Sequence, residues 1–455
     1  MAQEIKQWVP HEYQEDAIQW VLEGFDRENC SALFLQPGLG KTSCSLEVFK
    51  RMKAAGKAKT MLIVAPLRVA QQTWPTELRK WINFFDLTYT VLHGADKDVL
   101  LKRKTDIYII NYEGLAWLFS QNWKAPDILC FDELSKMKSW SAGRVKLMKI
   151  FLPTFKYRMG LTGTPATNGL VDLFSQVYML DRGTRFGRAI TRFKDRYFIQ
   201  NCFSYKLLPN ENTIHEIYEK VATLAFSIDP KKWIELPDEV HNVILIDMPP
   251  KLKAQYKELE KEFVVYLENG AVISAKMASV LSTKLRQFLS GKVYTNERNI
   301  ESVHHIKYEA LEDLVEEMAG QPLLVGYMYQ HEVPEFKKRF PQAEFIESNT
   351  STVQLIDIIN RWNAGKIELL FGHPASVGHG LNLQGACNNV CFYSLDFNLD
   401  NTMQFIKRVA RQGQKEKSVF IHFLLFKGSI DEYILKTLNG KEMTQQSLLD
   451  FINDN

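Results

Sequence analysis

The chain has 455 residues, too many for one ordinary core and suited to two or three compact units. Hydrophobic residues make up 45% and charged residues 24%, inside the globular range, which excludes a disordered chain, a collagen-like repeat and a coiled-coil rod. The net charge of +3 is the difference between 56 basic and 53 acidic residues, so a polyanionic partner has to be held by local basic patches and not by a global field.

From the N-terminus, the opening residues 1–10 lack an apolar signal core, and no run reaches the ~20 apolar residues of a membrane span. The expectation is a cytoplasmic protein, nuclear in a eukaryotic host, with no membrane partner. Short apolar runs at 33–35, 61–65, 107–110, 128–131 and 159–161 alternate with helical patterns, which predicts an α/β unit over 1–183, a parallel sheet covered by helices. From 184 to 301 the texture changes: Leu252, Tyr256, Leu259, Phe263 and Leu267 recur at the spacing of an amphipathic helix, and this stretch reads as a mostly helical insertion. Strand and helix alternation returns at 323–325, 367–371, 390–393 and 419–425, predicting a second sheet-based unit over 302–455. No short-period repeat or low-complexity tract is present. The six cysteines, Cys30, Cys44, Cys130, Cys202, Cys387 and Cys391, are scattered, mostly in apolar segments, as expected of reduced thiols in a reducing interior. Cys387 and Cys391 lack a second Cys or His pair at finger spacing, which favours buried strand residues over a metal site.

Three constellations carry chemistry. At 33–42 an apolar strand runs into Gly38-Leu39-Gly40-Lys41-Thr42 and then a helical stretch. Glycines let backbone N–H groups close around phosphate oxygens, Lys41 would neutralise the β/γ phosphates, and the Thr42 hydroxyl would ligate Mg2+ at the positive helix end. Leu35 stands where the strict pattern asks for glycine. At 128–133 a buried strand ends in Asp132-Glu133, where one acid can hold magnesium and the next can polarise the attacking water. An isolated Asp-Glu is usually a solvated strand end; its place several strands beyond a phosphate loop favours the functional reading. At 404–414, Arg408 and Arg411 stand three residues apart, on one face if the segment is helical, and could offer guanidiniums to a polyphosphate. A solvated basic helix is the ordinary alternative.

Read in order, these residues resemble the Swi/Snf group of superfamily-two ATPases. Tyr13-Gln14 resembles the adenine-reading element, and 37–42 the first phosphate motif. The stretch from Ala65 through Arg68 to Trp74 and Trp81 is similar to the DNA-facing segment, and 111–115 to the element before the acidic pair. Thr162 and Thr164, with Asn168 and Leu173, resemble the coupling motif. Leu236-Pro-Asp and Leu285-Arg-Gln look like landmarks of the group, and 378–383, with Gly378 and Gly380, and 404–414, with Gln404, resemble the last two motifs. The likeness covers about 10–435.

The resemblance implies two RecA-like P-loop lobes, with ATP and Mg2+ as cofactors, movement along double-stranded DNA without base reading, and arginine fingers at Arg408 and Arg411. Two rivals stand beside this: a helicase that separates DNA or RNA strands, and a catalytically inactive binding scaffold. The acidic motif reads Asp132-Glu133-Leu134-Ser135, with serine where the group commonly has histidine. The chain is similar to the small single-module versions of bacteriophages and prophages, to which 373–376 and His379 also bring it close. That likeness implies a monomer in the bacterial cytoplasm, with phage DNA replication or recombination as its setting. DNA contacts are expected at Arg68, at Lys138 among Lys136, Lys146 and Lys149, and at Arg192, Lys194 and Arg196, where Phe193, Tyr197 and Phe198 interleave.

Overall fold

A computed structural model of the chain describes residues 6–200, 207–268, 275–294, 299–377 and 381–453. The chain forms two compact units, Met1–Ile234 with Lys441–Asn455, and Glu235–Gly440.

The first unit is built on a seven-stranded sheet: β1 (Cys30–Phe34), β2 (Met61–Ala65), β3 (Tyr89–Val91), β4 (Ile107–Asn111), β5 (Ile128–Asp132), β6 (Tyr157–Thr162) and β7 (Ala225–Phe226). Their order across the sheet is β3-β4-β2-β5-β6-β1-β7, and every pairing is parallel. The apolar runs read from the sequence are the central strands, whose residues are buried on both faces, so they show no polar alternation. Register sets Phe34 beside Thr162 and Leu161 beside Asp132, so β1, β6 and β5 end at one edge of the sheet. Ligands of such sheets sit at the carboxyl ends of the strands. Residues far along the chain complete the core: Leu448, Leu449 and Ile452 pack into the cluster that contains Phe34, Phe131 and Phe174.

The second unit has six parallel strands, β8 (Asp238–Ile246), β9 (Leu323–Gly326), β10 (Glu344–Ile346), β11 (Leu369–Gly372), β12 (Asn389–Phe392) and β13 (Ser418–Phe426), in the order β8-β13-β12-β9-β11-β10. Successive residues feed different cores. Leu324, Leu370, Val390, Phe392 and Phe423 enter one cluster, while Leu323, Val325, Leu369, Phe371, Cys391 and Leu424 enter another. This is the period-two geometry of a strand buried on both faces.

The expected insertion at 184–301 is divided between the two units. Helix Ile190–Tyr197, helix Ile214–Ala222 and β7 belong to the first; β8 and helices Pro250–Glu268 and Ala275–Leu289 belong to the second. The expectation of a mostly helical stretch missed β7 and β8, which join the sheets. In helix Pro250–Glu268 the apolar stripe is seen at Leu252 and Tyr256, both buried, and at Leu259, which packs beside them. Phe263 and Leu267 lie among side chains outside the described set. Cys387 and Cys391 are buried in the second unit, and among the described residues no group of three His, Cys, Asp or Glu could hold a metal ion. No helix among the described residues is long and apolar enough to cross a membrane.

The loop leaving β9 carries a buried acid. Glu332 Oε2 accepts hydrogen bonds from the N–H groups of Met328 (3.1 Å) and Tyr329 (2.9 Å) and from Ser394 Oγ (3.2 Å), while Oε1 has no partner among the described residues. Burial pushes its pKa up to about 7. A pKa raised above the unfolded value, about 4.3, stabilises the fold fully below that value, and the contribution is lost as pH rises through 7. Glu332→Gln keeps an acceptor without the charge. It should be more stable than the native protein at pH 8, by about 3 to 4 kcal/mol, and converge with it below about pH 4 in thermal melts. Identical melts at both pH values would show that Glu332 is ionised at no cost.

Candidate functional site

The phosphate loop joins β1 to helix Lys41–Ala54. Gly38 and Gly40 have φ of 95° and 79°, the left-handed region open to glycine at little cost. A Cβ at Gly40 would come within 2.3 Å of Gln14 Nε2, so a side chain there would have to displace the Gln14 amide. Gln14 itself is buried and clasps the loop: its Nε2 donates to Leu39 O (3.2 Å) and its Oε1 accepts from His11 N–H (3.0 Å). Lys41 folds over the loop, Nζ donating to Leu35 O (2.6 Å) and Gln36 O (3.2 Å). Thr42 is the second residue of the helix. Leu35, at the position where the strict motif has glycine, is fully buried, so its carbonyl serves the lysine while its side chain serves the core.

Two strands away, β5 delivers the acids. Glu133 adopts φ 65° and ψ 61°, a left-handed conformation that costs a non-glycine residue on the order of 1 to 3 kcal/mol. Local bonds hold it there. Tyr112 Oη donates to the carbonyls of Asp132 (2.8 Å) and Glu133 (3.1 Å), and Glu133 Oε1 accepts from Ser135 Oγ (2.7 Å) and Thr162 Oγ1 (3.1 Å). The Thr162 hydroxyl in turn accepts from Thr164 N–H (3.1 Å). Ser135, which stands where histidine was expected, therefore bonds Glu133 directly, and of the two threonines expected to take part in coupling Thr162 reaches the same carboxylate while Thr164 joins it through Thr162. Asp132 Oδ2 accepts from the indole of Trp74 (2.7 Å). Burial and the Glu133 charge raise its pKa to about 6 against the pull of Trp74 and Lys41. Gly163 packs the coupling segment against the phosphate loop, since a Cβ there would lie 3.1 Å from Pro37 Cδ.

In the second unit the arginines are not on one helical face. Helix Leu399–Ile406 stops just before them, because Arg408 Nε donates to Gln404 O (3.0 Å) and its Nη1 to Leu381 O (3.1 Å). Arg408 is buried; Arg411 is partly buried, with Nη1 on Asn382 Oδ1 (2.5 Å). The pair thus shares one support, the segment at 381–382. Gln404 Nε2 donates to Asp400 Oδ1 (2.8 Å), and its Oε1 is buried without a partner among the described residues. Gly378 and Gly380, expected to take part in coupling, and His379 lie outside the described residues.

Of the residues expected at DNA, Arg68 immediately precedes the turn Val69–Thr73 and is partly buried. Lys138 is also partly buried, its Nζ donating to Thr167 Oγ1 (2.7 Å). Arg192 and Arg196 are exposed and Lys194 is partly buried on helix Ile190–Tyr197, with Arg196 paired to Glu216 (2.7 Å). The interleaved Phe193, Tyr197 and Phe198 face the core of the first unit and are not available to stack on bases. Trp74 was expected on the DNA-facing segment; it is fully buried and turned to Asp132. Neither its inward role nor that of Tyr112 was read from the sequence, where only the motifs around them were marked.

Comparison with known proteins matches residues 13–293 to the SNF2-related domain and residues 306–413 to the helicase conserved C-terminal domain. The chain is 33% identical to protein p41 of Acyrthosiphon pisum secondary endosymbiont phage 1, over 98% of this chain and 99% of that one. It is 23% identical to the human DNA annealing helicase and endonuclease ZRANB3 over 96% of this chain, and spans 40% of the length of that protein. A solved structure, the Sulfolobus solfataricus SWI2/SNF2 ATPase core in complex with dsDNA, is 21% identical with a TM-score of 0.46, covering 99% of this chain and 95% of that one.

Proposed function

The chain belongs to the SNF2-related family, as an ATPase of the helicase type, and on that premise we propose that it couples ATP hydrolysis to movement along double-stranded DNA without reading base sequence. The observation that carries this reading is Glu133, held in a strained backbone conformation with its carboxylate fixed by Ser135 and Thr162 at the sheet edge where the phosphate loop begins.

In the proposed cycle, the N–H groups of the loop around Gly38, Leu39 and Gly40 cradle the phosphates, and Lys41 leaves the carbonyls of Leu35 and Gln36 to meet them. Gln14, which clasps the loop, places the adenine side. Glu133 orients and polarises the attacking water, and Thr162 and Thr164 tie its position to the coupling segment. Thr42 and Asp132 are the oxygen donors that would hold Mg2+; a divalent charge there offsets the burial and the Glu133 repulsion that disfavour ionised Asp132. The chemistry a cation held by these residues would supply is positive charge against that of the phosphates. On the second unit, Gln404, Arg408 and Arg411 are the proposed nucleotide-facing residues, with the two arginines as the proposed fingers. The likeness to a phage protein along its full length supports a phage setting; work as a monomer in the bacterial cytoplasm, in DNA replication or recombination, is part of the same proposal.

The test is ATPase rate with double-stranded DNA, single-stranded DNA, RNA or no polymer, beside a duplex-unwinding assay. Stimulation by double-stranded DNA without unwinding supports translocation. Stimulation confined to single strands or RNA, or efficient unwinding, replaces it with a strand-separating helicase, and no turnover leaves a binding scaffold.

Arg68, Lys138, Arg192, Lys194 and Arg196 are the proposed phosphate contacts. Replacing Arg192, Lys194 and Arg196 together by Gln should weaken DNA binding equally for all sequences and reduce the slope of log K against log salt by about 2 to 3, near 0.9 per lost contact. Equal slopes in a salt titration would make this face an ordinary solvated surface.

A further inference from the structure

We infer that Trp74 is a positioning residue for Asp132, and that it joins the segment at 66–80 to the magnesium side of the nucleotide site; this rests on the reading of Asp132 and Thr42 given above. The segment leaves β2 at Pro66 and does not run as a regular helix. Val69–Thr73 form a π-helical turn, closed by Trp74 N–H donating to Val69 O, five residues back. Pro75 follows at the start of helix Trp74–Lys80 and has no N–H with which to continue a four-residue ladder. Such wide turns re-aim the side chain that follows and are frequent at functional sites. The side chain re-aimed here is Trp74, fully buried, with its indole N–H on Asp132 Oδ2 at 2.7 Å.

Indole suits this task because it can only donate and carries no charge. It fixes one carboxylate oxygen of Asp132 without competing as a ligand or as a positive charge. One turn further along the same short helix, Glu77 Oε2 accepts from Ser43 Oγ (3.0 Å) and from Trp81 Nε1 (2.6 Å). Ser43 adjoins Thr42 in the helix that follows the phosphate loop. Seven residues of helix therefore make one side-chain hydrogen bond to the acid on the magnesium side and another beside the hydroxyl on that side. A displacement of the helix would change both together.

The inference is tested by binding a fluorescent ADP analogue to the full chain in EDTA and in Mg2+. Trp74→Phe keeps an aromatic ring in the slot and removes the N–H. It should bind the analogue in EDTA as the native chain does and lose most of the gain that Mg2+ gives, by about 10- to 100-fold in affinity, the effect of one hydrogen bond to a charged group. A native Mg2+ gain in Trp74→Phe overturns the inference. Lys41→Ala separates the two readings, because it should weaken binding in both conditions; native binding by that variant removes the nucleotide site itself. If Trp74→Phe does not fold, the native chain labelled with 5-fluorotryptophan serves instead. One 19F resonance should move both on Asp132→Ala and on addition of Mg2+ with ADP, and two responses on different resonances would overturn the inference.

Discussion

Glu133→Gln is expected to bind ATP as the native chain does and to hydrolyse it about 10²- to 10⁴-fold more slowly, the range a lost catalytic base commonly costs. The proposed phosphate contacts come from the loop at 37–42 and do not involve this carboxylate, so binding should survive. Glutamine can still accept from Ser135 and Thr162 and therefore keeps the backbone and the coupling contacts in place. What it lacks is the charge that polarises water. Lys41→Ala should fail at the other end of the reaction, losing affinity and turnover together, because its ammonium is the cation that the loop holds ready. Parallel measurements of nucleotide affinity and turnover check both, and near-native hydrolysis by either variant would remove these residues from the mechanism.

Arg411→Ala should bind ATP almost normally yet lose most of the DNA-stimulated rate, since an arginine finger contributes about 10³- to 10⁵-fold in phosphoryl transfer. Its environment fits a conditional role. Burial holds the guanidinium pKa below its ordinary value, and Nε has no partner among the described residues, so a phosphate oxygen is a better partner than the present surroundings. Arg408 is the more structural of the two, because its bonds to Gln404 O and Leu381 O end a helix and hold a neighbouring segment. Loss of Arg408 should therefore lower stability as well as rate, whereas loss of Arg411 should leave the melting curve in place. Slow basal hydrolysis, measured without DNA, should fall proportionately less than the stimulated rate. Retained DNA stimulation in Arg411→Ala would show that this side chain takes no part in phosphoryl transfer.

The central strands were legible because residues buried on both faces leave continuous apolar runs, and the phosphate loop because only particular residues tolerate its backbone. The edge strand β8 was missed. Along Asp238–Ile246 the sequence does carry an apolar run at 243–246, which the helical reading of 184–301 passed over, and in the fold only Ile246 of this edge strand is buried. The two residues of β7 are too few for any pattern. The spacing of Arg408 and Arg411 suggested a helical face, but the Arg408 side chain takes one of the helix's last carbonyls, that of Gln404, a competition between side chain and backbone that spacing cannot record. Likewise Trp74 looked outward as part of a motif and is turned inward by a π-helical turn and Pro75. The acids and the lysine were singled out by residue type and by their place after apolar strands. Their supports, Tyr112, Ser135 and Trp74, depend on which residues the folded sheet edge brings together.

The first unit draws its last core residues, Leu448, Leu449 and Ile452, from a segment that begins about two hundred residues after the unit's main stretch ends at Ile234. On a ribosome adding about 5 to 20 residues per second, that interval is about 10 to 40 s. Throughout it, the part of the first unit's core that these residues complete, beside helix Ile214–Ala222, stays uncovered while the second unit is still being made. Order of synthesis and order of folding therefore part company in this chain: the unit begun first is finished last. The nascent protein must stay soluble through that wait, and a ribosome that stalls anywhere between the two stretches would release a first unit with its hydrophobic surface open.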